Sequence, residues 1–128
     1  MQIEHLAIWV NDLEMMKNFY HKYFNAQNGD LYINEKKQFS SYFLSFEHGA
    51  RLEIMHRPDI AKYLGKKGLI EGLAHFAVSV GSKEKVNQMT ELFRTDGFEI
   101  FGEPRTTGDG YYESVILDPE GNHIEITV

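Results

Sequence analysis

An internal repeat constrains this chain more than any other feature. The first half reads His5-Leu6-Ala7-Ile8-Trp9-Val10 and closes on Leu52-Glu53-Ile54. The second reads His75-Phe76-Ala77-Val78-Ser79-Val80 and closes on Ile124-Glu125-Ile126. In each half a histidine opens one strand candidate and a glutamate lies in the last. A unit this small buries its own sheet face poorly, so the repeat points to two like modules packed as a pair.

Periodicity fills in each half. A strand over about 2–10 precedes a helix that Asn11 and Glu14 can start, with Met16, Phe19, Tyr20, Tyr23 and Phe24 as its apolar stripe. Asn28-Gly29-Asp30 breaks the pattern, and strands follow near 31–34, 40–47 and 50–56, with a turn at His48-Gly49. The second half repeats the order. It has a strand over about 73–80, then a helix capped by Ser82 that carries Val86, Met89, Leu92 and Phe93 and stops at Gly97. Strands near 98–102, 111–117 and 122–128 complete it, with the Asp118-Pro119-Glu120-Gly121-Asn122 turn before the last. The expected fold class is α+β: two tandem β-α-β-β-β modules forming one curved, mostly antiparallel sheet with a concave cleft. Module 1 covers about 1–56, a linker with one helical turn about 57–72, and module 2 about 73–128, as one domain over 1–128.

Strand side chains alternate, so residues two apart share a face. Leu6, Ile8 and Val10, then Leu52 and Ile54, Phe76, Val78 and Val80, and Ile124 and Ile126 suit packing under the helices. His5, Glu53, His75 and Glu125 all fall on the opposite face. Any one of them alone reads as the wet side of an antiparallel sheet. Four at matched repeat positions read as one divalent-metal site, because two buried carboxylates on a concave face call for a cation.

The composition narrows the partners. There is no cysteine, which excludes disulfides, thiolate ligands and a cysteine nucleophile. The net charge of −6 argues against nucleic acid. Lys62, Lys66 and Lys67 form the one basic cluster, read as a solvated loop rather than an anion site. No apolar run is long enough for a membrane span, and Glu4 and His5 interrupt the N-terminus as no secretory signal would allow, so a cytoplasmic location is expected.

These residues resemble the vicinal oxygen chelate superfamily (glyoxalase, bleomycin resistance and dioxygenase proteins), and within it the metal-dependent glyoxalase I type. The resemblance covers essentially the whole chain. It rests on His5, on Glu53 in Arg-Leu-Glu-Ile-Met, on His75 in Gly-Leu-Ala-His-Phe-Ala-Val, and on Glu125 after Asp-Pro-Glu-Gly-Asn-His-Ile-Glu-Ile. It implies one octahedral divalent ion, Ni, Zn, Co, Mn or Fe, held by His5, Glu53, His75 and Glu125. Extradiol dioxygenases and fosfomycin-resistance enzymes use three protein ligands, and methylmalonyl-CoA epimerases usually place glutamine where Glu53 stands. Glu53 therefore favours the glyoxalase I pattern.

The chemistry implied is proton transfer beside a metal-bound carbonyl of a small molecule such as a 2-oxoaldehyde hemithioacetal. Glu125 is the first choice for base and Glu53 the symmetric alternative. A homodimer is implied, with each site formed within one chain or across two. Epimerisation, dioxygenation, and sequestration of a drug or metabolite are the competing functions. Trp9, Arg51 and Met55 are candidate substrate-pocket residues, although Trp9 also suits simple packing and Arg51 a pairing with nearby acids. His123 reads as a surface histidine or a neighbour supporting Glu125, Met15-Met16 as core, and Tyr111-Tyr112 as sheet packing.

Overall fold

The computed structural model describes residues 1–128. The chain divides into two units, Met1–Lys62 and Tyr63–Val128.

In the first unit, β1 (His5–Trp9) leads to α1 (Leu13–Phe24), then β2 (Gln27–Asn28), β3 (Tyr32–Asn34), β4 (Phe39–Ser45) and β5 (Arg51–His56). The sheet runs β1-β5-β4-β2, with β3 also paired to β4. β1 and β5 are parallel, and the remaining pairs are antiparallel. The helix starts one residue later than the sequence suggested. Asp12, not Asn11, is the cap, and its carboxylate accepts the Met15 amide at 2.9 Å. Glu14 is drawn away instead, accepting a 2.6 Å bond from the Tyr42 hydroxyl on β4 and pairing with Lys17. Met16, Phe19 and Tyr20 lie buried against the sheet face formed by Ile8, Leu44, Leu52 and Ile54. Strand β2 went unread because two residues carry no periodicity.

The second unit has a 3-10 turn at Lys67–Leu69, then β6 (Phe76–Ser79), α2 (Lys83–Thr95), β7 (Ile100–Thr106), β8 (Tyr112–Leu117) and β9 (His123–Thr127). Its sheet runs β6-β9-β8-β7, again with the first and last strands parallel. Ser82 caps α2 through the Lys85 amide at 3.2 Å, and Gly97, at φ 86°, supplies the left-handed turn that ends it. Val86, Met89, Thr90 and Phe93 form the buried stripe. Leu92 lies off that stripe and is exposed, contrary to expectation. The Thr90 hydroxyl donates to the Val86 carbonyl and meets the Ser114 hydroxyl on β8 at 2.7 Å, so both buried hydroxyls are satisfied. β7 extends past the expected 98–102 because it passes Pro104 at the sheet edge by two register shifts.

The class is α+β, as expected; the second module is β-α-β-β-β and the first adds the short β2 to that order, but every strand finds its partners within its own module. The result is two mixed sheets, neither closed into a barrel, rather than one continuous ladder. No helix is long and apolar enough to cross a membrane.

The turn before β9 is organised by one side chain. Asp118 is buried, and one of its oxygens accepts the amides of Glu120 and Asn122 at 2.9 and 2.8 Å. The other accepts the Asn122 side-chain amide at 2.7 Å. Replacing Asp118 by Ala orphans these donors and is expected to cost about 2–3 kcal/mol, measured by urea unfolding. A loss below about 0.5 kcal/mol would show that the turn holds without it.

Candidate functional site

The parallel pairing in each unit sets a histidine near a glutamate. In the first unit the register places Ala7 of β1 beside Glu53 of β5, and His5 beside Arg51. His5 Nε2 lies 3.9 Å from Glu53 Oε2. In the second unit Ala77 of β6 lies beside Glu125 of β9. His75, one residue before β6, has its Nε2 at 3.2 Å from Glu125 Oε2. The small alanine beside each glutamate leaves room for the imidazole. Both carboxylates are largely covered, whereas both imidazoles are about two-fifths exposed (39% for His5, 45% for His75).

The surroundings of the two pairs differ. In the first unit the His5 Nδ1 is hydrogen-bonded to Glu4, whose other oxygen accepts from the Arg51 guanidinium. These two bonds, His5 first, hold the Glu4 carboxyl below the ordinary carboxylate value. The Phe43 ring meets His5 edge-on at 5.2 Å, and the Arg51 guanidinium lies 4.2 Å from its centroid. Trp9 and Met55 are register partners farther along the same strands, Trp9 exposed and Met55 half-buried. Arg51 is thus already engaged by an acid.

In the second unit a third carboxylate adjoins the pair. Glu113 on β8 shares the face of Glu125, because Val115 opposes Glu125 and Glu113 opposes Thr127. Glu113 is buried and accepts a 3.1 Å bond from Arg105 of β7. Burial, followed by the charge of Glu113 and a hydrogen bond with it, raises the proton affinity of Glu125 against the opposing pull of His75 and Arg105.

His123, two residues before Glu125, is buried rather than a surface histidine. Phe101 lies 4.3 Å from it, and the linker backbone comes so close that a Cβ on Gly68 would stand 2.3 Å from its Nδ1. Burial, then the His75 charge, lowers its proton affinity. Of the cluster lysines, Lys66 lies over the Phe101 ring and Lys67 donates to Asn122.

Sequence reasoning missed Glu4, Phe43, Arg105 and Glu113. Glu113 left one signal, a lone acid among the apolar residues of Tyr-Glu-Ser-Val-Ile-Leu. Arg105 left none, since it follows a proline outside the expected strand.

The donor chemistry fits a divalent ion. Adjacent ligands around an octahedral ion with bonds of about 2.1 Å stand about 3 Å apart; the 3.2 Å His75–Glu125 separation approaches that value, and the 3.9 Å His5–Glu53 separation is longer. No group of three or more His, Cys, Asp or Glu side chains is gathered to hold a metal, so each unit offers a pair.

The raised proton affinity of Glu125 has a consequence for the metal-stripped protein. Its contribution to stability is fully present below the ordinary value of 4.5 and is lost as pH rises through the raised value. Glu125→Gln should therefore gain stability relative to the parent as pH rises across that window, in denaturant melts with chelator present. A constant difference between the two would contradict the shift.

Comparison with known proteins agrees with this frame. The Glyoxalase/Bleomycin resistance protein/Dioxygenase superfamily profile matches residues 2–126. No curated protein sequence matches. Among solved structures, the trypanothione-dependent glyoxalase I of Leishmania major superposes with a TM-score of 0.78 at 20% identity, covering 99% of this chain and 86% of that one. A glyoxalase family protein from Enterococcus faecalis gives 0.79 at 22% identity, covering 99% and 97%. Glyoxalase I from Zea mays gives 0.78 at 21% identity over 98% of this chain, which spans only 44% of the maize one. At these identities the likeness shows the fold, and the profile shows the family: the chain belongs to the glyoxalase/bleomycin resistance protein/dioxygenase superfamily.

Proposed function

We propose that the protein is a metal-dependent lyase or isomerase of the glyoxalase I kind. In this reading His5, Glu53, His75 and Glu125 hold one divalent ion, Ni, Zn, Co, Mn or Fe. The substrate is a small oxygenated molecule such as the hemithioacetal of a 2-oxoaldehyde and a thiol. The observation that carries the reading is the repeated His–Glu pair, with Nε2–Oε2 separations of 3.9 and 3.2 Å at equivalent strand positions. The glyoxalase I structures that share the fold support it.

When bound, the ion would act as a Lewis acid toward the oxygen charge that develops as the substrate loses a proton. The remaining work falls to the chain. Glu125 takes the proton from the carbon bearing oxygen and sulfur, leaving an enediolate. It then returns that proton to the adjacent carbon while the hydroxyl proton passes from the first oxygen to the second, and the hemithioacetal becomes a 2-hydroxyacyl thioester. In the metal-free chain, burial and then the Glu113 charge raise the proton affinity of Glu125. Glu53 occupies the equivalent position with Ser41 where Glu113 stands, so it lacks that neighbour. Trp9, Arg51 and Met55 would border the substrate, with Arg51 also paired to Glu4. A homodimer and a cytoplasmic setting belong to the same reading.

Methylglyoxal mixed with a panel of low-molecular-weight thiols provides the assay. Glu125→Gln should lower kcat by about 100-fold or more with KM little changed, and Glu53→Gln should cost less. Full activity in the Glu125→Gln, Glu53→Gln double variant would eliminate the proton shuttle.

A further inference from the structure

We propose that Glu4 and Arg51 are positioning residues that fix the tautomer of His5, so that Nε2 is presented as an unprotonated donor. This rests on the reading of His5 as a metal ligand. A neutral imidazole carries its proton on one nitrogen, and only the other has a lone pair to offer. An ionised carboxylate accepts and never donates. The bond between Glu4 Oε2 and His5 Nδ1 therefore places the proton on Nδ1 and leaves the lone pair on Nε2. Nε2 is the nitrogen that faces Glu53 at 3.9 Å.

Glu4 is held by more than this bond. Its carbonyl accepts the Arg51 amide at 3.1 Å, which ties it to β5. Its second carboxylate oxygen accepts from the Arg51 guanidinium. That guanidinium rests on Phe43, and the edge of Phe43 meets the His5 ring. Glu4, His5, Phe43 and Arg51 thus close a ring of contacts around one imidazole. Both charged partners are well exposed, at 57% and 40%, so the contacts contribute orientation rather than much stability. The second module has no counterpart: Ala74 precedes His75, and His123 takes the position of Arg51. The pairing with Glu4 makes Arg51 part of this histidine brace.

The test uses the full chain in two states. In metal-stripped protein at a pH of about 8, above the ordinary histidine value of about 6.5, long-range proton–nitrogen NMR reports the His5 tautomer, assigned with His5→Gln. The proposal expects Nδ1–H in the wild type and a shift toward Nε2–H in Glu4→Ala and Arg51→Met. Zinc titration should show about 10-fold weaker binding in Glu4→Ala, with Glu4→Gln, whose amide oxygen can still accept, intermediate. A wild-type His5 already protonated on Nε2, a tautomer unmoved in Glu4→Ala, or equal zinc affinity in that variant overturns the brace while leaving the metal reading intact. A wild type that binds none of Ni, Zn, Co, Mn and Fe overturns the metal reading and the brace with it.

Discussion

Parallel pairing of the first and last strands of each module is the constraint on which the rest depends. β1 lies against β5 and β6 against β9, although every other pair is antiparallel. That pairing is possible because a helix and the intervening strands carry the chain back to the same end of the sheet. It fixes which residues face one another. Alanine lies beside glutamate in both modules, and a histidine two residues earlier reaches the carboxylate. A slip of one residue would turn every one of these side chains to the helix-covered face. The buried aliphatic residues Ile8, Leu52, Ile54, Ile124 and Ile126 prevent that slip, so the core and the candidate site are set by the same register.

On this common frame the modules have diverged at equivalent positions. Ser41 corresponds to Glu113, Arg51 to His123, Phe43 to Val115, and Glu4 to Ala74. In the first module the exchanges surround the histidine with an acid, an arginine and an aromatic ring. In the second they surround the glutamate with another acid and bury a histidine beside it. The physical outcome is a division of labour within the proposed function: one module presents a fixed imidazole, and the other raises the proton affinity of a carboxylate. A repeat with identical surroundings would give two equivalent glutamates and no preferred base.

The sequence made the modules, the helix faces and the His–Glu pairs legible, because alternation over four or five residues survives in β1, β5, β6 and β9. What it hid was non-local or too short. β2 has two residues. Asp12 rather than Asn11 caps α1 because its carboxylate reaches the Met15 amide, a matter of local backbone geometry. His123 is buried because Gly68 and Phe101, distant in sequence, close over it. Glu113 and Arg105 meet only because the edge strand passes Pro104 with two register shifts. The site's donors thus follow from periodicity, and their surroundings follow from how the strands are set against one another.

The central claim is that the two His–Glu pairs serve one ion, and metal stoichiometry tests it most directly. The wild type, His5→Ala and His75→Ala would be purified without chelator, offered Ni, Co, Zn, Mn and Fe in turn, and analysed for metal per chain. The account predicts about one ion per chain in the wild type and loss of tight binding in both variants, since each removes one donor from a shared set. A wild type that retains none of these metals, or one whose metal is lost in one variant and fully kept in the other, would contradict it.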